Sequence, residues 1–402
     1  MRILINASLV ILLLCTIRVD ADWERFRGPR GDGIVEECKW NPLSLASNVK
    51  ILWRDNIGAG YSSLTIRGKW LYTAGYTNGN NVIYCMEAAT GKKKWEYSFR
   101  SGRGQGGYVG PRSTPVSDGA YVYFVGQEGE VICLDSNSGH MKWEKNLAKD
   151  FGAKAPTWGY SASPWLEDEM LILNANTYGI AIKKKTGEKI WSSPEGIGGY
   201  ATPVVYSSKG KKCAAIFGQK AIYGVDITSG ELLWSFPWKT AYDVHAADPI
   251  VYDNKVFFTS GYGTGCALIE IGEREPKLLW QNKNICAHFS SCVLLKGVIY
   301  GINGNAGGGA LRAVDFSSGS LKWSENLGFG SLIALGDKLV VFSETGTLTV
   351  ADATLAGYKC IATHKLMEIP AKIKCWTAPV FNDGIIYCRN SAGDIMAVDV
   401  SK

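Results

Sequence analysis

Seven tryptophans set the frame for this chain. Trp53, Trp95, Trp143, Trp191, Trp234, Trp280 and Trp323 follow one another at 42, 48, 48, 43, 46 and 43 residues. A fixed period of this size marks a repeat array, and four short strands fit into one period, which points to propeller blades. Val131–Trp143, VICLDSNSGHMKW, shows the unit: a short apolar strand, an Asp, a Ser/Asn/Gly turn, then a strand ending in Trp. The phrase recurs as CMEAATGKKKW, AIKKKTGEKIW, GVDITSGELLW and AVDFSSGSLKW, with a looser copy, LIEIGEREPKLLW, ending at Trp280. In each tight copy the Gly after Ser or Thr is free to take positive φ in the turn.

A second marker counts the blades. SSLTI, STPV, SASPWL, ATPVV, ADPIV, SSCVLL, GSLIAL and TAPVF each open a repeat with small residues, often with Pro, before an apolar run. That makes eight repeats, each read as strands A to D, with Pro at the start of strand A where a ladder N–H can be missing. The eighth repeat, Gly384–Asp399, lacks its last strand, and Ile51–Trp53 is an orphan D strand at the other end. The expected fold is therefore an all-β, eight-bladed β-propeller over 51–402, closed by pairing the N-terminal strand with the C-terminal blade, which removes both exposed edges. A Trp buries roughly 150–250 Å², so the seven recurring ones are expected to dock blades and not ligands.

Before the propeller, 22–50 has no periodicity, and WERFRGPRGDGI (Trp23–Ile34) reads as an extended loop. Residues 1–21 read as a cleaved export signal: Arg2, a mostly apolar Ile3–Ile17, then Val19-Asp20-Ala21, with the mature chain starting near Asp22. The apolar run is short for a membrane span, and Leu14 before Cys15 is too large for a lipid-attachment site. Export puts the protein in the periplasm or outside the cell, as a monomer with no transmembrane segment in the mature chain. Losing Arg2, Arg18 and Asp20 takes the net charge from +6 to +5, and no Lys/Arg run is interleaved with aromatics, so nucleic acid is not indicated. Ten of the 11 Cys follow Cys15. Cys85 and Cys133 share one strand position and read as small buried hydrophobes. Cys360 and Cys375 could bridge the degenerate seventh repeat. Cys286 and Cys292 lack a metal-like partner set, and no metal site is expected.

The phrase LD-x-x-[TS]-G-x-x-x-W, through eight blades, resembles the pyrroloquinoline-quinone (PQQ) repeat of the quinoprotein alcohol dehydrogenase-like superfamily. The propeller subunit of the outer-membrane barrel-assembly machinery shares this repeat without being an enzyme. WERFRGPRGDGI, YVGPRSTP, DFGAKAPTWGYSASP and FPWKTAYDVHAADPIV are similar to stretches of exported bacterial PQQ-binding-like propellers. The resemblance covers the whole mature chain and is specific for fold, while one repeat serves enzymes and scaffolds alike. For the enzymes it implies PQQ with calcium and a catalytic Asp, for which Tyr242-Asp243 is the matching place. The chain departs from them in having no adjacent Cys pair and no CxxCH haem motif.

Variable D–A loops on a rigid scaffold are where binding is expected. Aligning the strand-A starts puts Tyr61, Arg112, Ser161, Tyr200, Ala246, Phe289, Phe329 and Trp376 at the channel mouth, with Tyr160, His245 and His288 one position earlier. Such a funnel could hold a flat or anionic ligand by stacking and charge-assisted hydrogen bonds; equally, the rings could plug the channel. His245 and His288 read as hydrogen-bonded fillers, and Trp158 as either a stacking or a packing residue. Asp243 is either a catalytic base or a loop cap paired with Lys239 or Arg112. The functional expectation is a binding scaffold working through the D–A face and funnel, toward a protein or small molecule. The alternative is a PQQ-dependent alcohol or sugar dehydrogenase with Asp243 as base.

Overall fold

The computed structural model describes residues 22–46, 49–104, 106–272 and 275–401. The export signal read at 1–21 lies outside them. Eight sheets follow in chain order, sequential strands pairing antiparallel within each, with strands from the N-terminal segment added to the seventh and eighth. The first blade is Thr65–Arg67, Trp70–Thr77, Asn80–Glu87 and Lys93–Arg100. The eighth is Val380–Asn382, Ile385–Arg389 and Asp394–Asp399, completed by Lys50–Asn56 from the other end of the chain. Trp53 sits opposite Ala397 and Arg54 opposite Met396, so closure occurs where the orphan strand was expected. The strand-A prolines Pro115, Pro164, Pro203, Pro249 and Pro379 each stand one residue before the first ladder residue, where the absent N–H costs nothing.

The docking role of the repeat Trp has a clear geometry. The indole N–H donates to a carbonyl of the following blade: Trp53 to Ala88 at 2.8 Å, Trp95 to Ser136 at 2.9 Å, Trp143 to Lys184 at 3.0 Å, Trp191 to Ile227 at 2.7 Å. Trp280 and Trp323 do the same to Phe316 and Thr354. For Trp53, Trp95, Trp143, Trp191 and Trp280 the ring lies on the turn glycine of that next blade. A Cβ on Gly139, which has φ +74°, would stand 2.7 Å from Trp95. The Gly of each TG or SG turn therefore serves two needs, positive φ and room for the neighbour's indole. The preceding Asp caps the turn, as Asp135 accepts from Asn137 N–H and Ser138 N–H.

Two departures from the period are structurally linked. The fifth repeat lacks the Ser/Thr-Gly turn, and Trp234, which should dock on it, instead donates to Tyr206 Oη of its own blade at 3.0 Å and lies over Gly224. The seventh blade has Ala362 in the Trp position, opposite Val350. Its strand Gly330–Leu335 gains a fifth, parallel neighbour, Ile34–Val35, at the end of the stretch read as an extended loop and within the non-periodic segment 22–50. Those two apolar residues are buried by adding to a free inner edge, a tertiary effect that two residues of sequence do not signal.

The ten described cysteines are all free thiols, so the bridge entertained between Cys360 and Cys375 does not form. Cys375 is buried beside Met367 Sδ at 3.9 Å, whereas Cys360 lies exposed on the outer strand. Cys85 and Cys133 are buried, as their strand position required.

Candidate functional site

The N-terminal segment closes one end of the channel. Trp23 O accepts from Ile66 N–H of the first blade at 2.8 Å, and Glu24 pairs with Arg67. Arg25 lies 4.5 Å over the Trp165 ring of the third blade. Arg27 reaches the sixth, donating to the Cys292 carbonyl as well as to Gly31 O and Asp32 O, and Gly33 O accepts from Ala334 N–H of the seventh. The segment thus crosses the axis. Gly31 permits it: with φ +71°, a Cβ there would sit 2.5 Å from the Trp165 ring. WERFRGPRGDGI is the floor of the propeller channel.

Above this floor lies an axial cavity of about 320 Å³, open toward the D–A face and lined by Phe26 and Arg27 below and by Tyr61, Tyr108, Arg112, Trp158, Ser161, Tyr200, Ala246, Tyr262, His288, Phe289 and Trp376 around it. Its mouth is a continuous run of rings. Trp158 meets Tyr108 at 6.0 Å, Tyr108 meets Tyr61 at 6.4 Å, and Tyr61 stacks on Trp376 at 5.5 Å and 24°. Trp376 meets Phe289, Phe289 meets His288, His288 meets Tyr262 and Tyr262 meets Tyr242. Polar contacts hold the loops: Arg112 donates to Trp158 O at 2.8 Å and Tyr108 O at 3.2 Å, and Trp376 Nε1–H donates to Glu344 at 2.9 Å. Burial lowers the Arg112 pKa, the nearby tyrosines opposing it.

The residues expected at the funnel divide. Tyr61, Arg112, Trp158, Tyr200, His288, Phe289 and Trp376 line the cavity. Phe329 does not; it is fully buried behind Phe289 at 4.9 Å. Tyr160 is packed between the second and third blades with its hydroxyl on Ala153 O. His245 is also fully buried, its ring stacked on Phe217 at 4.4 Å and Nδ1 on Gly218 O at 2.7 Å. Tyr160 and His245 lie in the loops before Trp165–Glu167 and Ile250–Tyr252, where the backbone turns their side chains into the packing while Ser161 and Ala246 face the cavity. Lys239 is exposed outside the cavity. Burial pushes His288 down to about 4, so it is neutral near pH 7, with Nδ1 buried and unpartnered among the described residues.

Asp243 stands apart from the cavity lining. Its partners are Gln219 at 3.1 Å and Lys220 at 3.2 Å, not the Lys239 or Arg112 considered from sequence. Tyr242 and Asp243 are consecutive left-handed residues, with φ +62° and +53°. Each costs about 1–2 kcal/mol in a non-glycine residue, and the bend presents Tyr242 to solvent beside Tyr262.

The acidic residue that does face the cavity is Asp248, which sequence reasoning passed over. It stands in ADPIV, where STPV, SASP, ATPV and SSCV carry Thr114, Ser163, Thr202 and Ser291. These positions form a relay between blades. Ser63 N–H donates to Thr114 Oγ1 at 3.0 Å, Thr114 N–H to Ser163 Oγ at 2.9 Å, and Ser163 N–H to Thr202 Oγ1 at 3.3 Å. Thr202 N–H then donates to Asp248 Oδ1 at 2.8 Å, and Asp248 N–H to Ser291 Oγ at 2.9 Å. Asp248 is 4% exposed, and burial pushes its carboxyl up to about 6, against the opposing effects of Arg27 and the Thr202 N–H. The signal was available: one Asp in an alignment of Ser and Thr.

Calcium prefers six to eight oxygen ligands, carboxylates prominent among them. Among the described lining residues Asp248 is the one acidic side chain, and Arg27 and Arg112 bring two positive charges to the same cavity. This donor set does not fit a calcium site.

Solved structures with the same architecture include BamB, alcohol dehydrogenases and a designed protein. The BamB structure from Moraxella catarrhalis superposes with a TM-score of 0.67 at 13% identity, covering 88% of this chain and 100% of that one. A quinohemoprotein alcohol dehydrogenase from Comamonas testosteroni gives 0.75 at 12% identity, with 95% and 81% covered. The computationally designed Ika8 protein gives 0.61 at 12% identity, with 87% and 99% covered. At such identities the likeness is one of fold. No curated protein matches. A family profile does match, over residues 106–325, more than half of the chain, and the chain belongs to the PQQ-repeat propeller family described as outer membrane protein assembly factor BamB.

Proposed function

We propose that the protein is an exported binding scaffold that receives its ligand, or a group presented by a partner, through the D–A face into the axial cavity. The observation that carries this reading is the cavity itself: closed below by the protein's own N-terminal segment, walled by aromatic rings, and open on the face with the variable loops. A concave, mostly apolar site with a few convergent polar groups is the form a ligand site takes. Export rests on the sequence of 1–21.

The test is a melting-temperature screen of flat aromatic acids and amino acids, PQQ included, with Trp376→Ala as control. Compounds that stabilise the native protein and fail to stabilise Trp376→Ala support the reading. A screen with no stabilising compound, or with hits indifferent to Trp376→Ala, refutes the cavity as the site.

The oxidoreductase alternative is favoured by one observation, a flat-walled cavity in a fold that quinohemoprotein dehydrogenases share. Against it, Asp243 is engaged by Lys220 outside the cavity and the donor set does not suit calcium. Dye-linked oxidation of alcohols or sugars after adding PQQ and calcium is expected to be absent. Turnover dependent on PQQ and lost in Asp243→Asn would establish the alternative.

A further inference from the structure

The alignment that counts the blades also layers the cavity. One layer holds the relay residues, and the layer nearer the mouth holds the residues two positions earlier in each blade. Each layer carries one charged side chain: Asp248 of the fifth blade in the inner layer, Arg112 of the second blade in the outer. They stand three blades of eight apart around the axis, so they face each other across the cavity and one layer apart.

Among the described residues, neither charge has an ion-pair partner. The relay needs only a neutral acceptor, which Ser163, Thr202 and Ser291 supply with a hydroxyl. Asp248 uses one oxygen for it, and among the described residues the Thr202 N–H is the one donor on its carboxylate. Arg27 does not complete it, since its guanidinium donates to the carbonyls of Gly31, Asp32 and Cys292. A carboxylate nine-tenths buried and short of donors is costly until a donor or cation arrives. Arg112 is the complement: a half-buried guanidinium among Tyr61, Tyr108 and Tyr200, with two carbonyl contacts and, among the described residues, no ion pair. A ligand that is only an anion leaves Asp248 facing it unpaired. One that is only a cation meets Arg27 and Arg112 with no anion of its own. Between the two charges the walls are aromatic.

We propose that the cavity takes a small zwitterion with a flat apolar body, its amine on Asp248 at the inner end and its carboxylate on Arg112 at the mouth. The inference rests on the reading of the cavity as the binding site. Its volume, about 320 Å³, lies at the small end of ligand pockets and suits a ligand of amino-acid size.

Three probes sharing one indole ring decide it by calorimetric titration: L-tryptophan, tryptamine and indole-3-propionate. L-Tryptophan is expected to bind about ten-fold or more tighter than either single-charge probe, the scale of a charge-assisted hydrogen bond. Asp248→Asn, which keeps an acceptor for the Thr202 N–H, is expected to bring L-tryptophan down to the affinity of indole-3-propionate. Asp248→Ser, which restores the hydroxyl found in neighbouring blades, is expected to do the same in a protein that melts no lower than the native one. If indole-3-propionate matches L-tryptophan on the native protein, or if the ranking survives both variants, the zwitterion assignment is wrong while the cavity stands as a site. If none of the three binds at millimolar concentration, the cavity reading fails with it.

Discussion

Trp53 is the repeat tryptophan at which the ring closes, and its replacement by Ala tests the docking geometry most directly. The indole is 9% exposed, lies on Gly91 of the first blade and packs at 6.0 Å against Tyr387 of its own. Removing a buried Trp side chain costs about 3–5 kcal/mol through lost transfer energy and the cavity left behind. Losing the indole N–H bond to Ala88 O adds little, because Tyr387 Oη–H also donates to that carbonyl, at 3.2 Å, and keeps it satisfied. The expected cost of Trp53→Ala is therefore about 3–5 kcal/mol, with no further term for an orphaned carbonyl. Gly91→Ala provides the second arm. Its Cβ would lie 2.7 Å from the indole, in a backbone at φ +71°. Alone it should cost about 1–2 kcal/mol for the left-handed alanine and about 1–3 kcal/mol for overpacking. In the Trp53→Ala background the overpacking disappears and the backbone cost stays. Guanidinium unfolding of the four proteins should thus give a favourable coupling of about 1–3 kcal/mol. Strict additivity would show that the turn glycines are not there to receive the indole, and the account of the repeat phrase would collapse.

Other predictions are independent of that one. Asp248 is ionised more reluctantly in the folded protein than unfolded, so its contribution is present at low pH and lost as pH rises from about 4 through about 6. Asp248→Asn should accordingly melt higher than the native protein at pH 7, by the equivalent of about 1–3 kcal/mol, with the gap closing toward pH 4; a gap independent of pH would show that the carboxylate is not responsible. Deleting 394–402 removes Asp394–Asp399, the partner of both Ile385–Arg389 and Lys50–Asn56, and should expose two edges and cause aggregation on size-exclusion chromatography. A monomeric truncation with native melting would refute closure at this blade. Thiol titration of the native protein should find Cys360 reactive and Cys375, whose burial pushes its thiol up to about 12, inert, and adding reductant should leave the melting temperature unchanged.

The sequence alone determined the blade count, the strand order and the closing partner. Those features are local and repeated: a period-two apolar strand, an Asp-capped turn with Gly, and a Trp at a constant offset mean the same thing in every copy, so one correct reading serves for all. Trp53 was legible as a closing strand because the repeat predicted a residue the eighth blade lacked. The aromatic mouth was legible in part: Tyr61, Arg112, Tyr200, Phe289 and Trp376 follow from counting along strand A, but Phe329 at the same position is buried, and Tyr108 and Tyr262 lie outside the count. Only the tertiary structure decided what the non-repeating residues do. Trp23–Ile34 carries no repeat phrase; its internal bonds, such as Gly33 N–H to Arg27 O, shape the loop, but its role as the channel floor comes from contacts with the first, third, sixth and seventh blades. His245 and Tyr160 sit one residue from cavity-facing neighbours, and the path of the D–A loops sends them into the packing, whereas His288 at the same aligned position lines the cavity. Asp243 carried the more suggestive motif, yet the loop bends it to Lys220, while Asp248, inconspicuous beside a proline, faces the axis. A charge acquires its role from what surrounds it in three dimensions, and the burial that pushes the Asp248 carboxyl up toward neutrality comes from blades distant in sequence.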